Sequence, residues 1–172
     1  MALQLEEEWI VWYDHFTPGR TGVNYDKGLY TLCTLRTVED FWGCYNNLPA
    51  ITSLDNKCGI HFMINGIKPA WEDPANNSGG ILRLKVKKNE AQIFWKEALM
   101  AIIGDSYRDV IGAEFNGISA VKKQGQFVFQ FWSSRDYNIE EAKRYFLKIS
   151  QGIKLVGDAK YQTCKNLLQY YA

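Results

Sequence analysis

Two adjacent side chains in one loop have the chemistry to recognise a charged purine. Trp71 and Glu72 lie between Pro69 and Pro74. An indole face attracts cations and stacks on nucleic-acid bases, and a carboxylate accepts hydrogen bonds from a donor edge such as that of guanine. The pair would therefore suit a guanine that carries a positive charge. The alternative is a loop tryptophan that packs on the core beside a solvated glutamate.

Motifs of catalysis and of metal binding are scarce in the sequence. It holds no GxSxG, P-loop, GxGxxG or HExxH motif, and its two histidines, His15 and His61, have no identifiable nucleophile as a partner. Its four cysteines lack metal-ligand spacing, and we expect them to be reduced structural thiols. We therefore expect a binding protein rather than an enzyme, with no cofactor and no metal.

The composition is that of a folded protein without bulk affinity for nucleic acid. Hydrophobic residues make up 47% of the 172 residues, and 20 basic residues nearly balance 19 acidic ones. This excludes extended disorder and a histone-like protein. An anionic ligand is expected near the basic run at residues 83–88 or in the basic C-terminal part. The N-terminus resembles no signal peptide, which predicts a cytoplasmic location and leaves a nuclear one open.

Hydrophobic periodicity predicts strands and three helices in one domain of residues 1–172. Thr37 and Asp40 form a capping-box pattern at the start of the first helix. The many one-sided strands and short connections predict an α+β fold, an antiparallel sheet with helices on one face. The predicted strands span residues 9–16, 29–35, 60–64, 81–87, 113–115, 118–121 and 127–132, with short strands after residue 154, and the predicted helices span 37–48, 90–104 and 138–149.

Five sequence blocks occur in the order that one family shows. They are WIVW at residues 9–12, TVEDFW at 37–42, GIKPAWED at 66–73, GG at 79–80 and FWKEAL at 94–99. The chain resembles the eukaryotic translation initiation factor 4E family, whose members bind the 7-methylguanosine cap of mRNA. The resemblance covers residues 3–133 and, more weakly, the rest. It implies a curved sheet of about eight strands with three helices packed on its convex face.

The resemblance also implies a site for the methylated base. Two aromatic rings of the family sandwich this base, and they match Tyr25, where tryptophan is usual, and Trp71. Glu72 matches the acid that pairs with the guanine edge, and Trp132 matches the tryptophan near the N7-methyl group. Because N7-methylation makes guanine cationic, stacking gains about 2 kcal/mol when it is desolvated. The alternative for Tyr25 is an ordinary tyrosine of a turn.

The family's phosphate contacts are only partly matched. Ile81 stands where the family has an arginine just after Gly-Gly. The basic pair on the later strand falls on Lys122 and Gln124, with Lys123 as an equal candidate for one of the two positions. Arg83, Lys85 or Lys87 would substitute for the missing arginine, since they share the strand parity of Ile81. We therefore expect weaker or rearranged phosphate contacts.

A second surface implied by the resemblance binds a helical segment of a protein partner. Residues Val38 and Trp42 match its centre, and Glu97 and Met100 match contacts on the second helix. Two departures leave the partner's identity open: Lys96 replaces an apolar contact, and residues 3–4 lack the family's His-Pro. The expected partners are capped mRNA and either a scaffold protein like initiation factor 4G or a 4E-binding repressor. We expect a monomer within that complex and no membrane contact.

The sequence therefore predicts non-catalytic recognition of the mRNA cap, coupled to a protein that controls translation initiation. The departures at Tyr25 and Ile81 keep a second hypothesis open. Under that hypothesis the chain is a cap-binding repressor, or a variant with weakened cap affinity that acts as a protein-interaction module.

Overall fold

Seven strands form one antiparallel sheet in the part of the chain that the structure describes. The structure is a computed structural model and describes residues 1–15, 26–105, 107–108, 114–149 and 159–166. The strand order is β2-β1-β3-β5-β6-β4-β7, and every neighbouring pair is antiparallel. The strands are β1 (Gln4–His15), β2 (Leu29–Thr37), β3 (Cys58–Ile64), β4 (Gly80–Val86), β5 (Phe115–Lys123), β6 (Gln126–Ser133) and β7 (Lys160–Thr163).

Three helices of the described residues cover one face of this sheet, called here the helix face. They are α1 (Val38–Asn47), α2 (Lys88–Ile103) and α3 (Ile139–Ile149), and short 3₁₀ turns lie at Asp26–Gly28 and Ile51–Ser53. Each helix packs an aromatic ring on the strands. The ring centroids are 6.4 Å apart for Phe41 and Phe62, 4.4 Å for Phe94 and Phe129, and 5.4 Å for Phe146 and Phe131. Burial of large aromatic rings contributes strongly to the packing energy of a core.

The start of α1 follows from its local sequence. Thr37 Oγ1 accepts a hydrogen bond from the Asp40 amide at 3.0 Å, and Asp40 Oδ2 accepts one from the Thr37 amide at 2.9 Å. Asp40 Oδ2 also accepts a hydrogen bond from the Arg36 amide. This bond, together with the hydrogen bonds to Thr37, lowers the pKa of the Asp40 carboxyl. The capping box predicted from the sequence is therefore formed, and it satisfies amide groups that a helix start leaves without partners.

The α+β prediction is confirmed, with differences in detail. Seven described strands replace the expected eight or so. The two strands predicted at residues 113–115 and 118–121 are replaced by one strand, β5, which has a register shift between Phe115 and Gly117. The strand β1 begins at Gln4, well before the predicted residue 9, and α2 begins at Lys88 rather than at residue 90. Among the described residues, no helix is long and apolar enough to cross a membrane.

The other side of the sheet, called here the open face, carries different side chains. Because successive residues of a strand point to opposite faces, Phe62 and Ile60 face the helices while His61 and Met63 belong to the open face. Strand pairing extends these positions into two rows across the sheet. One row is Trp12, His61, Ser119, Gln130 and Arg83, and the next is Ile10, Met63, Gly117, Trp132 and Ile81.

Candidate functional site

A small apolar cluster on the open face, separate from the main core, contains two of the predicted base-binding residues. We call it the slot cluster. Trp132 is buried in it, and Trp71 is partly buried at its edge. Its other members are Met63, Ile81 and Cys164, which are buried, and Trp12 and Ile67, which are partly buried.

Gly117 permits the close packing beneath the slot cluster. It lies between Met63 and Trp132 in the row across the strands. A Cβ atom at Gly117 would come within 2.4 Å of the Met63 Sδ and 2.5 Å of the Phe62 carbonyl oxygen. A larger residue would push β3 away from β5, so the glycine keeps the floor of the slot cluster intact.

Glu72 is partly exposed and lies near this cluster. Burial raises the pKa of the Cys164 thiol to about 11, Arg83 opposes that rise, and the negative charges of Asp136 and Glu72 add to it. The cluster therefore has an indole on its edge with an acid and a guanidinium close by. This combination can stack on a planar ring, accept hydrogen bonds from it and attract an anion.

The loop that carries Trp71 and Glu72 is held by buried amide side chains. Asn76 is completely buried, and its Nδ2 donates to the carbonyl oxygens of Lys68 and Ala70 at 2.9 Å each. The Nδ2 of Asn116 in β5 donates to Asn76 Oδ1 at 2.9 Å and so joins the loop to the sheet. Sequence reasoning missed both asparagines, although an asparagine in a loop rich in proline and glycine signals a side chain that bonds the backbone.

Asp73 fixes the same loop from within. Its Oδ2 accepts a hydrogen bond from the Lys68 amide at 2.9 Å, and its Oδ1 accepts one from the Ala75 amide at the same distance. Both carboxylate oxygens of Asp73 therefore accept hydrogen bonds from backbone amides. The role of Asp73 is to shape the turn, so Glu72 is the better candidate of these two acids for contact with a ligand.

A chain of hydrogen bonds between buried side chains ends on the indole of Trp132. Trp132 Nε1 donates to Ser119 Oγ at 2.8 Å, Ser119 Oγ lies 2.6 Å from His61 Nδ1, and His61 Nε2 lies 3.1 Å from Asp14 Oδ1. In one tautomer, His61 donates from Nε2 to Asp14 and accepts the Ser119 hydroxyl hydrogen at Nδ1. We call these four residues the Trp132 relay. Sequence analysis identified none of these partners of His61.

The predicted phosphate contacts fall on different faces. Arg83 lies on the open face beside the slot cluster and donates to Gln162 Oε1 at 2.5 Å. Lys122 instead donates from Nζ to the Leu54 carbonyl oxygen at 2.6 Å and lies 5.8 Å from the centroid of the core ring of Phe127. Strand parity turns Lys122 toward the helix face, so the structure does not bring it together with Trp132. Lys123 is exposed at the end of β5.

Tyr25, the predicted second ring of the base site, lies outside the described residues. Ile81, which stands in place of the expected arginine, is completely buried in the slot cluster. The structure therefore assembles Trp71, Glu72 and Trp132 at one place, with Arg83 next to them.

The predicted partner-binding residues lie on the outer side of α1 and α2. Trp42 is partly exposed and contacts Phe41 and Tyr45 edge-on, with centroid distances of 5.0 and 5.9 Å. Gln92 Nε2 of α2 donates to the Tyr45 hydroxyl at 3.2 Å, which places the two helices side by side.

Apolar side chains extend this outer surface along α2. Met100 is 43% exposed and Ile93 is 61% exposed, with the exposed Glu97 one turn from each. Val38 is partly exposed at the start of α1. An apolar strip bordered by charge on two adjacent helices has the form of a surface that accepts a partner helix.

Comparisons with known proteins agree on one family. The family model described as Eukaryotic initiation factor 4E matches residues 4–170. Eukaryotic translation initiation factor NCBP of Oryza sativa subsp. japonica is 34% identical over 119 residues, which are 65% of this chain and 52% of that protein. Eukaryotic translation initiation factor 4E-1 of Triticum aestivum is 31% identical over 137 residues, 80% of this chain and 63% of that protein. The chain spans about half the length of the first of these relatives.

Solved structures share the fold. C. elegans eIF4E-3, in complex with the 4E-binding protein Mextli and cap analog, superposes with a TM-score of 0.84 at 24% identity, over 98% of this chain and 96% of that chain. Ascaris suum eIF4E-3 in complex with m7G cap superposes with a TM-score of 0.80 at 26% identity, over 95% and 92% of the two chains.

Proposed function

The chain belongs to the eukaryotic initiation factor 4E family, and from this premise we propose that it binds the 7-methylguanosine cap of mRNA and a scaffold or regulatory protein of translation initiation. The observation that carries the proposal is the slot cluster on the open face, to which Trp71 and Trp132 both belong and near which Glu72 lies. In this proposal the protein acts in the cytoplasm and catalyses no reaction.

The chemistry of the slot cluster suits a cationic purine. N7-methylguanine carries a positive charge that the face of Trp71 attracts, and its N1–H and N2–H₂ groups donate to the Glu72 carboxylate. Tyr25 supplies the second ring of the sandwich in this proposal. The cation–π contribution of about 2 kcal/mol corresponds to about 30-fold discrimination against unmethylated guanine.

Partner binding is the second part of the proposal. C. elegans eIF4E-3 was solved with a 4E-binding protein, and the apolar strip of Trp42, Met100 and Ile93 supports an equivalent contact here. A partner helix would bury Met100 and Trp42 at its centre, where aromatic and apolar anchors contribute most to affinity. The helices and the sheet lie between this strip and the slot cluster, so both ligands can bind at once.

Fluorescence titration with 7-methylguanosine diphosphate and guanosine diphosphate tests cap binding. We expect 7-methylguanosine diphosphate to quench the tryptophan fluorescence at a concentration about 30-fold lower than guanosine diphosphate does. Trp71→Ala and Glu72→Gln should each weaken binding at least tenfold, because each removes one half of the recognition. Glu140→Gln, which changes an exposed acid on α3, is the matched control.

The buried Ile81 favours a second candidate, a protein-interaction module with weak cap affinity. Retention on immobilised 7-methylguanosine diphosphate separates the two. A wild-type protein that is not retained, but still binds a helical 4E-binding peptide, would contradict cap recognition and support the interaction module.

A further inference from the structure

A groove with three lysines lies at the far end of β4 from the slot cluster. It forms where β4 passes into α2 and where the β5–β6 hairpin turns. Its volume is about 190 Å³, and we call it the lysine groove. Its lining residues are Lys85, Val86, Lys87, Lys88, Gly125, Gln126 and Phe127.

Among the residues that the structure describes, no ion pair neutralises the lysines of this groove. Lys85, Lys87 and Lys88 are exposed. Three like charges around one depression repel each other, and this repulsion is relieved when an anion binds between them. The lysines therefore indicate an anionic ligand.

The start of α2 adds to the positive potential. Lys87 is the N-cap residue, and its side chain makes no capping hydrogen bond. Amide groups at the first turn of a 16-residue helix carry a partial positive charge. One acid, Glu90, lies in this turn against the three lysines, so the local balance stays positive.

The open side of β4 connects this groove to the slot cluster. Ile81, Arg83 and Lys85 lie on the same side at two-residue steps, and Lys87 follows at the end of the strand. From Ile81 to Lys87 the chain advances about 20 Å. Three linked phosphate groups are much shorter than this distance, so the groove is within reach of the nucleotides that follow a cap and not of the cap's own phosphates.

We propose that the lysine groove binds phosphate groups of the RNA segment that follows the cap. The proposal rests on the proposed function, because a cap held in the slot cluster, which includes Ile81 of β4, brings the start of the RNA to this strand. Arg83 and Lys85 add positive charge between the cluster and the groove. The row of Arg83, Lys85 and Lys87 connects the groove to the slot cluster, which favours an RNA segment over an acidic protein segment.

The test compares two ligands on wild-type protein and a charge variant. The ligands are 7-methylguanosine triphosphate and the same cap on an RNA of about eight nucleotides. The variant is Lys85→Gln with Lys87→Gln and Lys88→Gln. The control, Arg36→Gln with Lys143→Gln and Arg144→Gln, removes the same charge from positions away from the groove. Circular dichroism and urea unfolding verify that both variants fold.

The expected result is a gain from the RNA that depends on salt. Three phosphate contacts predict that the affinity for capped RNA falls about 20-fold more than that for the cap alone between 50 and 200 mM salt. The groove variant should lose this extra dependence and bind the cap alone normally, while the control keeps both. An equal gain in the groove variant, or no gain in wild type, would overturn the proposal. Tighter binding of a polyglutamate peptide than of uncapped RNA, lost in the groove variant and kept in the control, would overturn it as well.

Failure of the proposed function would look different. If the wild-type protein bound neither 7-methylguanosine triphosphate nor the capped RNA, cap recognition would be contradicted. An uncapped RNA of the same sequence still tests the groove in that case. Wild type should then bind it more tightly at 50 mM salt than the groove variant does, and equal binding would contradict the groove proposal.

Discussion

Trp132 is held by bonds and packing at the scale of single residues. Its indole packs in the slot cluster, and its N–H group donates to Ser119, which connects it to His61 and Asp14. His61 and Ser119 are almost completely buried, so each bond of the Trp132 relay forms away from water. A fully satisfied buried network fixes one orientation of its members, and here it fixes the plane of the indole.

Ser119→Ala tests this arrangement. The substitution removes the acceptor of the Trp132 N–H and the hydroxyl that bonds His61, and it leaves two buried polar groups without partners. We expect the free energy of unfolding to fall by about 1–3 kcal/mol, measured by urea denaturation. The preference for 7-methylguanosine diphosphate over guanosine diphosphate should fall as well, because the indole gains freedom to turn.

The control for this prediction is Ser78→Ala, which removes an exposed hydroxyl from the loop that carries Trp71 and Glu72. It should change neither stability nor methyl preference. If Ser119→Ala also left both unchanged, the relay would have no part in positioning Trp132.

Whether a site residue could be predicted depends on how far apart its interacting residues lie in the sequence. Trp71 and Glu72 are adjacent, so one short motif predicted both. His61 is 47 residues from Asp14 and 58 from Ser119 in sequence, and these residues come from three different strands. No local pattern links positions that only strand pairing brings together. The relay was therefore outside the reach of sequence analysis.

Whole elements show the same dependence. The start of α1 was predictable because its capping box is local, with Thr37 and Asp40 three residues apart. The early start of β1 was not, because the glutamates at residues 6–8 disfavour strands on their own. Arginine side chains from other parts of the chain neutralise two of these glutamates. Arg36 Nε lies 2.5 Å from Glu8, and Arg108 forms an ion pair with Glu7. Tertiary contacts thus decide what propensity alone would not.

The conformation of the loop that carries Trp71 depends on the hydrogen bonds of the buried Asn76. We expect Asn76→Ala to weaken binding of 7-methylguanosine diphosphate about tenfold, although Asn76 is buried beneath the loop. The reason is that three hydrogen bonds, to Lys68, Ala70 and Asn116, are lost and the loop no longer holds Trp71 and Glu72 at one position. Titration of the folded variant measures the effect.

Asn77→Ala is the neighbouring control for the loop. Asn77 Oδ1 accepts a single hydrogen bond from the exposed Ser78, so its loss should leave nucleotide affinity unchanged. Equal effects of the two substitutions would mean that the loop position does not depend on the buried asparagine.

The whole molecule keeps its two proposed binding surfaces on opposite sides of one sheet. The core lies between them: Phe41, which is next to Trp42 in α1, packs on Phe62, and the neighbours of Phe62 in β3 belong to the open face. Rigid strands with fixed pairing separate the sites. We therefore expect the two binding free energies to be nearly additive.

Trp42→Ala tests this independence. Removing the indole should weaken binding of a helical 4E-binding peptide by at least 2 kcal/mol, about 30-fold, because a large anchor at the centre of the surface is lost. Nucleotide affinity should change by less than about 0.5 kcal/mol, since Trp42 contacts Phe41 and Tyr45 and no residue of the slot cluster. Tyr145→Ala, which removes a partly exposed ring from α3, controls for loss of an aromatic side chain. Loss of both activities in Trp42→Ala would show that this indole supports the fold as a whole, and retention of peptide binding would move the partner surface elsewhere.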